Sequence, residues 1–92
     1  MNWTVILSKK TMKKVSKMPV AVKQQLFLLL KEIEVSGPVR GNWPNYIKLD
    51  KNRHHCHIKK GKSTYVAVWE VIDKKIQLVE VMYAGTNEKA PY

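Results

Sequence analysis

The sequence holds a single cysteine, Cys56, so no disulfide can close within the chain and a reducing cytoplasm is its simplest home. Its longest apolar run is five residues, 26–30, against the roughly 20 that a transmembrane helix requires, so no helical membrane span is expected and membrane is not among the expected partners. The opening MNWTVILSKKTMKK lacks a basic start followed by a small-residue cleavage site, so no secretory signal is expected. Acidic side chains are scarce: none precedes Glu32, and seven in total face 17 lysines and arginines, a net charge of +10. A field of this sign draws polyanions, which makes nucleic acid or an acidic protein the expected partner.

What is present describes one small folded domain spanning residues 1–92, with 45% apolar and 26% charged residues. Residues 3–7 (WTVIL) read as a short strand, and Ser8 as the cap of a helix running to about Met18. In that helix Lys10, Lys13, Lys14 and Lys17 share a face, while Met12 and Val15 mark another that is too thin for a membrane-surface helix. Pro19 suits the first turn of a second helix, in which Val22, Leu26, Leu29, Leu30 and Ile33 form a core stripe. Gly37 is placed as its left-handed cap.

A loop over residues 38–45 leads to strands at 46–49, 53–60, 64–72 and 75–84, with turns at Asp50–Asn52, Lys60–Ser63 and Asp73–Lys74. The order β-α-α-β-β-β-β, with short turns between the last strands, predicts an α+β fold. Two helices should cover one face of a mostly antiparallel sheet. Trp3, Tyr65 and Trp69 are expected in the core, and Trp43, in a proline-flanked loop, fits either core or site.

The segment RHHCHIKKGK, residues 53–62, concentrates three histidines, the cysteine and four lysine or arginine side chains. On a strand, alternate side chains point to opposite faces, so Cys56, Ile58 and His54 should face the helices, while His55, His57 and Lys59 line the open face. A closed zinc site wants four convergent ligands. Cys56 points away from His55 and His57, leaving Glu70 or Glu80 to complete a set. The two remaining readings are an acid/base site and a row of satisfied strand histidines. Glu70 and Glu80 interrupt apolar strands, either to orient a histidine or to form a salt bridge.

The stretch TYVAVWEVIDKKIQLVEVMYAGTNEKAPY resembles the C-terminal half of RelE-type toxins of the RelE/ParE toxin–antitoxin superfamily. It shares an aromatic-rich strand, the turn V-I-D-x-K, an apolar strand, a glycine and a polar tail ending in tyrosine. The preceding Y-I-K-L and the lysine-rich first helix also fit. The resemblance implies a cytoplasmic, cofactor-free endoribonuclease that cuts messenger RNA on the ribosome by 2′-hydroxyl attack. It also implies an acidic antitoxin as partner, with operator DNA bound only through that antitoxin. It matches a family lysine to Lys48 and the family's terminal aromatic to Tyr92. Val66 and Thr86–Asn87 stand where the family often carries cations.

The expected catalytic set is therefore His55, His57, Lys59 and Tyr92, with Lys48 also stabilising phosphate charge. RNA contacts are expected at Lys48, Arg53, Lys60, Lys62, Lys89, Lys10, Lys13 and Lys14. Two alternatives use the same scaffold: a ParE-like gyrase poison, and a binding module without catalysis.

Overall fold

The computed structural model describes residues 2–59 and 63–91. The order is β1 (Thr4–Leu7), α1 (Lys9–Ser16), α2 (Val20–Ser36), β2 (Ile47–Lys48), β3 (Arg53–Lys59), β4 (Tyr65–Asp73) and β5 (Leu78–Thr86), then a 3-10 turn, Asn87–Lys89. The strands form one sheet ordered β1-β5-β4-β3-β2. All pairings are antiparallel except β1 with β5, which are parallel. The expected α+β architecture is what forms.

Each helix is set by its sequence. Ser8 Oγ accepts the Thr11 N–H at 3.2 Å and starts α1, whose lysines stay outside while Thr11 and Val15 are buried. In α2 the stripe Val22, Leu26, Leu29 and Ile33 is buried against the sheet, with Leu30 packed at its margin. From the sheet side Cys56, Ile58, Ala67, Trp69, Val71, Val79 and Val81 complete this core. Trp69 is fully buried and donates its indole N–H to the Pro38 carbonyl at 2.9 Å, tying the post-helix loop to the sheet. Trp43 proves to be core: it is buried and donates to Glu32 Oε1 at 2.9 Å. Asn42 and Arg40 bond the same oxygen, and these bonds hold the Glu32 carboxyl below its usual range.

Three local readings change. Gly37 is not in the left-handed helical region: its φ of 97° comes with a ψ of 178°, an extended backbone open essentially to glycine alone. The last hairpin is not a two-residue turn. Asp73 Oδ1 accepts the N–H groups of Lys75 and Ile76 at 2.8 and 3.2 Å, Gln77 takes a φ of 52°, and β5 starts only at Leu78. The strand expected at 46–49 shortens to two residues.

Only the first half of β5 pairs with β1, since the shared register ends at Leu7 opposite Val81. Beyond it β5 runs on to Thr86 with an edge that β1 does not cover, and α1, which leaves β1 directly, packs beside it. The site described below depends on that arrangement.

Gly37→Ala is expected to destabilise the fold by about 1–3 kcal/mol in chemical denaturation. The added Cβ needs a disfavoured backbone and would sit 3.3 Å from the Trp3 indole nitrogen.

Candidate active site

Sheet register decides which side chains meet. His55 pairs with Val68, which pairs with Tyr83; His57 pairs with Val66, which pairs with Gly85. These rows lie on the face away from α2, as alternation predicts. The face is not bare, however. Val66, Val68 and Tyr83 form a second apolar cluster, with Leu49 and Ala90 packed on it, and His55 is only 3% exposed. His57 is half-buried, and its ring meets that of His55 edge-on at 5.3 Å between centroids. Among the described residues the His57 Nδ1 has no hydrogen-bond partner. Burial, reinforced by neighbouring His57, lowers the His55 pKa.

Lys59 does not extend the histidine row. A register shift after His57 places it opposite Tyr65, which packs on the helix-side core. Lys59, Tyr65 and Thr86 instead form a row across the end of the sheet. Lys48 is on the wrong face for the expected role: it pairs with His54, not with His55 or His57. His54 is buried on the helix side as expected, stacked 5.8 Å from Trp69 and bonded through Nδ1 to the Tyr46 hydroxyl at 2.6 Å. Burial and the nearby Lys48 charge lower its pKa, and burial raises that of Tyr46. Burial, helped by the Glu32 charge, pushes the Cys56 thiol up to about 12, so it is no nucleophile. Arg53 is committed to Asp50 at 2.7 Å, at the other end of β3 from Lys59, and Glu70 pairs across the sheet with Arg53 and Glu80 rather than with a histidine. No three His, Cys, Asp or Glu side chains converge among the described residues.

The cationic centre lies between α1 and the half of β5 that β1 leaves uncovered. A cleft of about 330 Å³ is lined by Lys14, Lys17, Tyr65, Tyr83, Thr86 and Lys89, among others. A second hollow, of about 260 Å³, shares Lys14, Tyr83 and Lys89 and adds Lys10. No described carboxylate lines either one. Lys10, Lys14 and Lys17 face it because they are four and three residues apart on α1, whereas Lys13 is exposed and lines neither hollow.

Tyr83 organises the floor. Its ring carries the Lys14 ammonium 5.1 Å from its centroid, and its hydroxyl donates to the Thr86 carbonyl at 2.7 Å. That reach runs over Gly85, where an added Cβ would lie 2.6 Å from the phenolic oxygen. The Asn87 N–H donates to the Thr64 carbonyl at 2.8 Å, fixing the turn that carries Lys89. Lys60, Lys62 and Tyr92 lie outside the described residues.

Of the expected residues, Lys10, Lys14 and Lys89 are thus gathered, and Lys59 and His57 stand at the same end of the sheet. Lys17 and Tyr83 were missed. Lys17 belongs to the same helical series, and Gly85 two residues after Tyr83 was the available signal for a phenol folded along its own strand.

No family model and no curated protein sequence matches the chain. Solved structures do. An E. coli RelE toxin carrying two arginine-to-alanine changes, in the free state, shares 26% identity over 92% of this chain and 83% of its own, with a TM-score of 0.63. The isolated E. coli RelE toxin shares 22% over 97% and 88%, with a TM-score of 0.69. The RelE–RelB complex from Pyrococcus horikoshii OT3 shares 15% over 98% and 100%, also at 0.69.

The chain has the RelE-type toxin fold. Lysines of the first helix and, from the tail, Thr86, Lys89 and Pro91 line the cleft and the hollow beside it.

Two outcomes follow. Tyr83→Phe should cost about 1 kcal/mol of stability, and Gly85→Ala more, because the ring must move; both are read by denaturation. His54 and His55, with pKa values below the usual 6.5, bind fewer protons folded than unfolded. Their contribution is complete above about pH 6.5 and is lost as pH falls from there through their folded pKa values. A His54→Gln/His55→Gln variant should show a flatter stability–pH slope between about pH 6.5 and 5.

Proposed function

We propose that this RelE-like chain is the toxin of a toxin–antitoxin pair, acting in the cytoplasm as a metal-independent endoribonuclease on ribosome-bound messenger RNA. The observation that carries the reading is the pair of adjoining hollows, lined by no described carboxylate, where Lys10, Lys14, Lys17 and Lys89 surround Tyr83 and Tyr65, on the fold of RelE.

In this reading the half-buried His57, rather than the more deeply buried His55, takes the proton of the 2′-hydroxyl. The oxygen attacks the adjacent phosphorus, a 2′,3′-cyclic phosphate forms, and the 5′-oxygen leaves with a proton from a second acid. Tyr92 and Lys59 are the proposed donors. Lys14, Lys59 and Lys89 offset the charge that builds on the phosphate, the role the sequence had suggested for Lys48. Tyr65 and Tyr83 supply aromatic surface for a base. Lys13, Lys60, Lys62 and Arg53 would contact RNA phosphates more peripherally, and Arg53 would first have to leave Asp50.

The proposed partner is an acidic antitoxin, through which alone the pair would reach operator DNA. A charge of +10 and the exposed Met12, Val20, Phe27, Leu28 and Val35 on the helices support one. The P. horikoshii RelE is seen with RelB.

A binding module without catalysis is the second reading, favoured by Val66. It is fully buried, so the position where the family often carries arginine presents no cation here.

Ribosomes programmed with messenger RNA should yield transcripts cut at the decoding site. His57→Gln should slow that cleavage by about 10²–10⁴-fold while leaving ribosome binding intact. Intact transcripts with wild-type protein would reject the nuclease; gyrase inhibition in the same preparation would assign the chain to the ParE-like class.

A further inference from the structure

At the opposite end of the sheet, on the helix side, lies another hollow of about 340 Å³, lined in part by Trp3, Lys48, Lys51, His54, Val71 and Lys74. β4 runs from Tyr65 beside the cleft to Val71 beside this hollow, six steps of about 3.3 Å, so roughly 20 Å separates the two. No described carboxylate lines it. The nearby acids are engaged elsewhere: Asp50 with Arg53, Asp73 with the backbone of its own turn, and Glu34 with Lys31. Among the described residues Lys48, Lys51 and Lys74 therefore have no ion-pair partner.

The apolar wall is set in advance. Trp43 and Trp69 are buried and donate their indole N–H groups, whereas Trp3 is only partly buried, packed at the margin of the core. The Trp3 N–H donates to the Glu34 carbonyl at 2.7 Å, the Thr4 N–H to that of Gln77 at 2.8 Å, and the indole edge rests on Gly37. Behind it the His54 ring stacks on those of Tyr46 and Trp69, which are tilted against each other. A partly exposed tryptophan lining the hollow beside three ammonium groups without ion-pair partners among the described residues matches the way single-stranded nucleic acid is held without sequence choice, a base on the aromatic face and phosphates on the cations.

We propose that this hollow is a second binding site for single-stranded RNA, taking a base against Trp3 and phosphates among Lys48, Lys51 and Lys74. It rests on the RNA reading for its ligand class but requires no cleavage. It would hold the message on the far side of the molecule from the cut. An acidic peptide would satisfy the lysines but leave the indole face without a planar partner.

The test uses the full chain and the dinucleotide pApA, too short to span both sites, followed by ¹⁵N–¹H correlation spectra at low salt. The Trp3 indole N–H and the Lys51 and Lys74 amides should shift saturably. A Lys48→Gln/Lys51→Gln/Lys74→Gln variant should weaken binding at this site at least tenfold while shifts around Tyr83 and Lys89 persist. With a longer oligonucleotide the salt dependence of its affinity should lose about two units of slope. Shifts confined to the Lys14–Tyr83–Lys89 cleft would overturn the proposal, as would unchanged binding by the triple variant. So would a hexaglutamate peptide that moves the Trp3 signal when pApA does not. Cleavage failing while these shifts appear would reject the nuclease alone.

Discussion

One side chain joins the two halves of the candidate site. Tyr83 lies along its own strand, bonds the Thr86 carbonyl and offers its ring to Lys14 of the first helix. The helix wall, the strand floor and the turn bearing Lys89 are thereby referred to a single phenol. The arrangement requires Gly85, since any side chain there would occupy the space of the hydroxyl. It also requires β1 to be short. Were it longer, a strand rather than a lysine-bearing helix would flank the end of β5.

Charge is distributed with the same economy. The chain carries many lysines and few acids, and several of the acids are engaged: Glu32 with Arg40, Asn42 and Trp43, Asp50 with Arg53, Asp73 with its turn. Two groups of lysines without ion-pair partners among the described residues lie at the two ends of the sheet, around Tyr83 and around Trp3. Lysines grouped this way, in hollows that also hold an aromatic side chain, suit an extended polyanion better than a compact one.

Much of this was legible in the residues. The alternation in β3 correctly separated His54, Cys56 and Ile58 from His55 and His57, because a strand has only two faces. The α2 stripe, the order of elements along the chain and the burial of Trp69 followed from periodicity and composition; the order of strands within the sheet and the place of Trp43 did not. What was not legible depended on partners distant in sequence. The bulge that turns Lys59 toward Tyr65 arises from pairing with β4. Lys48 was assigned to a face before its register with His54 was known. The burial of His55 comes with the apolar cluster of β4 and β5, to which Leu49 and Ala90 contribute. Gln77 adopts a positive φ because Asp73 captures two backbone N–H groups, which no two-residue turn rule anticipates.

The central claim is that the reacting phosphate sits between the half-buried His57 and the lysines gathered about Tyr83. A structure of this chain on a ribosome whose message carries a 2′-deoxy nucleotide at the cleavage position tests it most directly. The account predicts the scissile phosphate within hydrogen-bond reach of His57 and of at least one of Lys14, Lys59 and Lys89. A message running past the helix face, with His57 and the Tyr83 cleft empty, would contradict it.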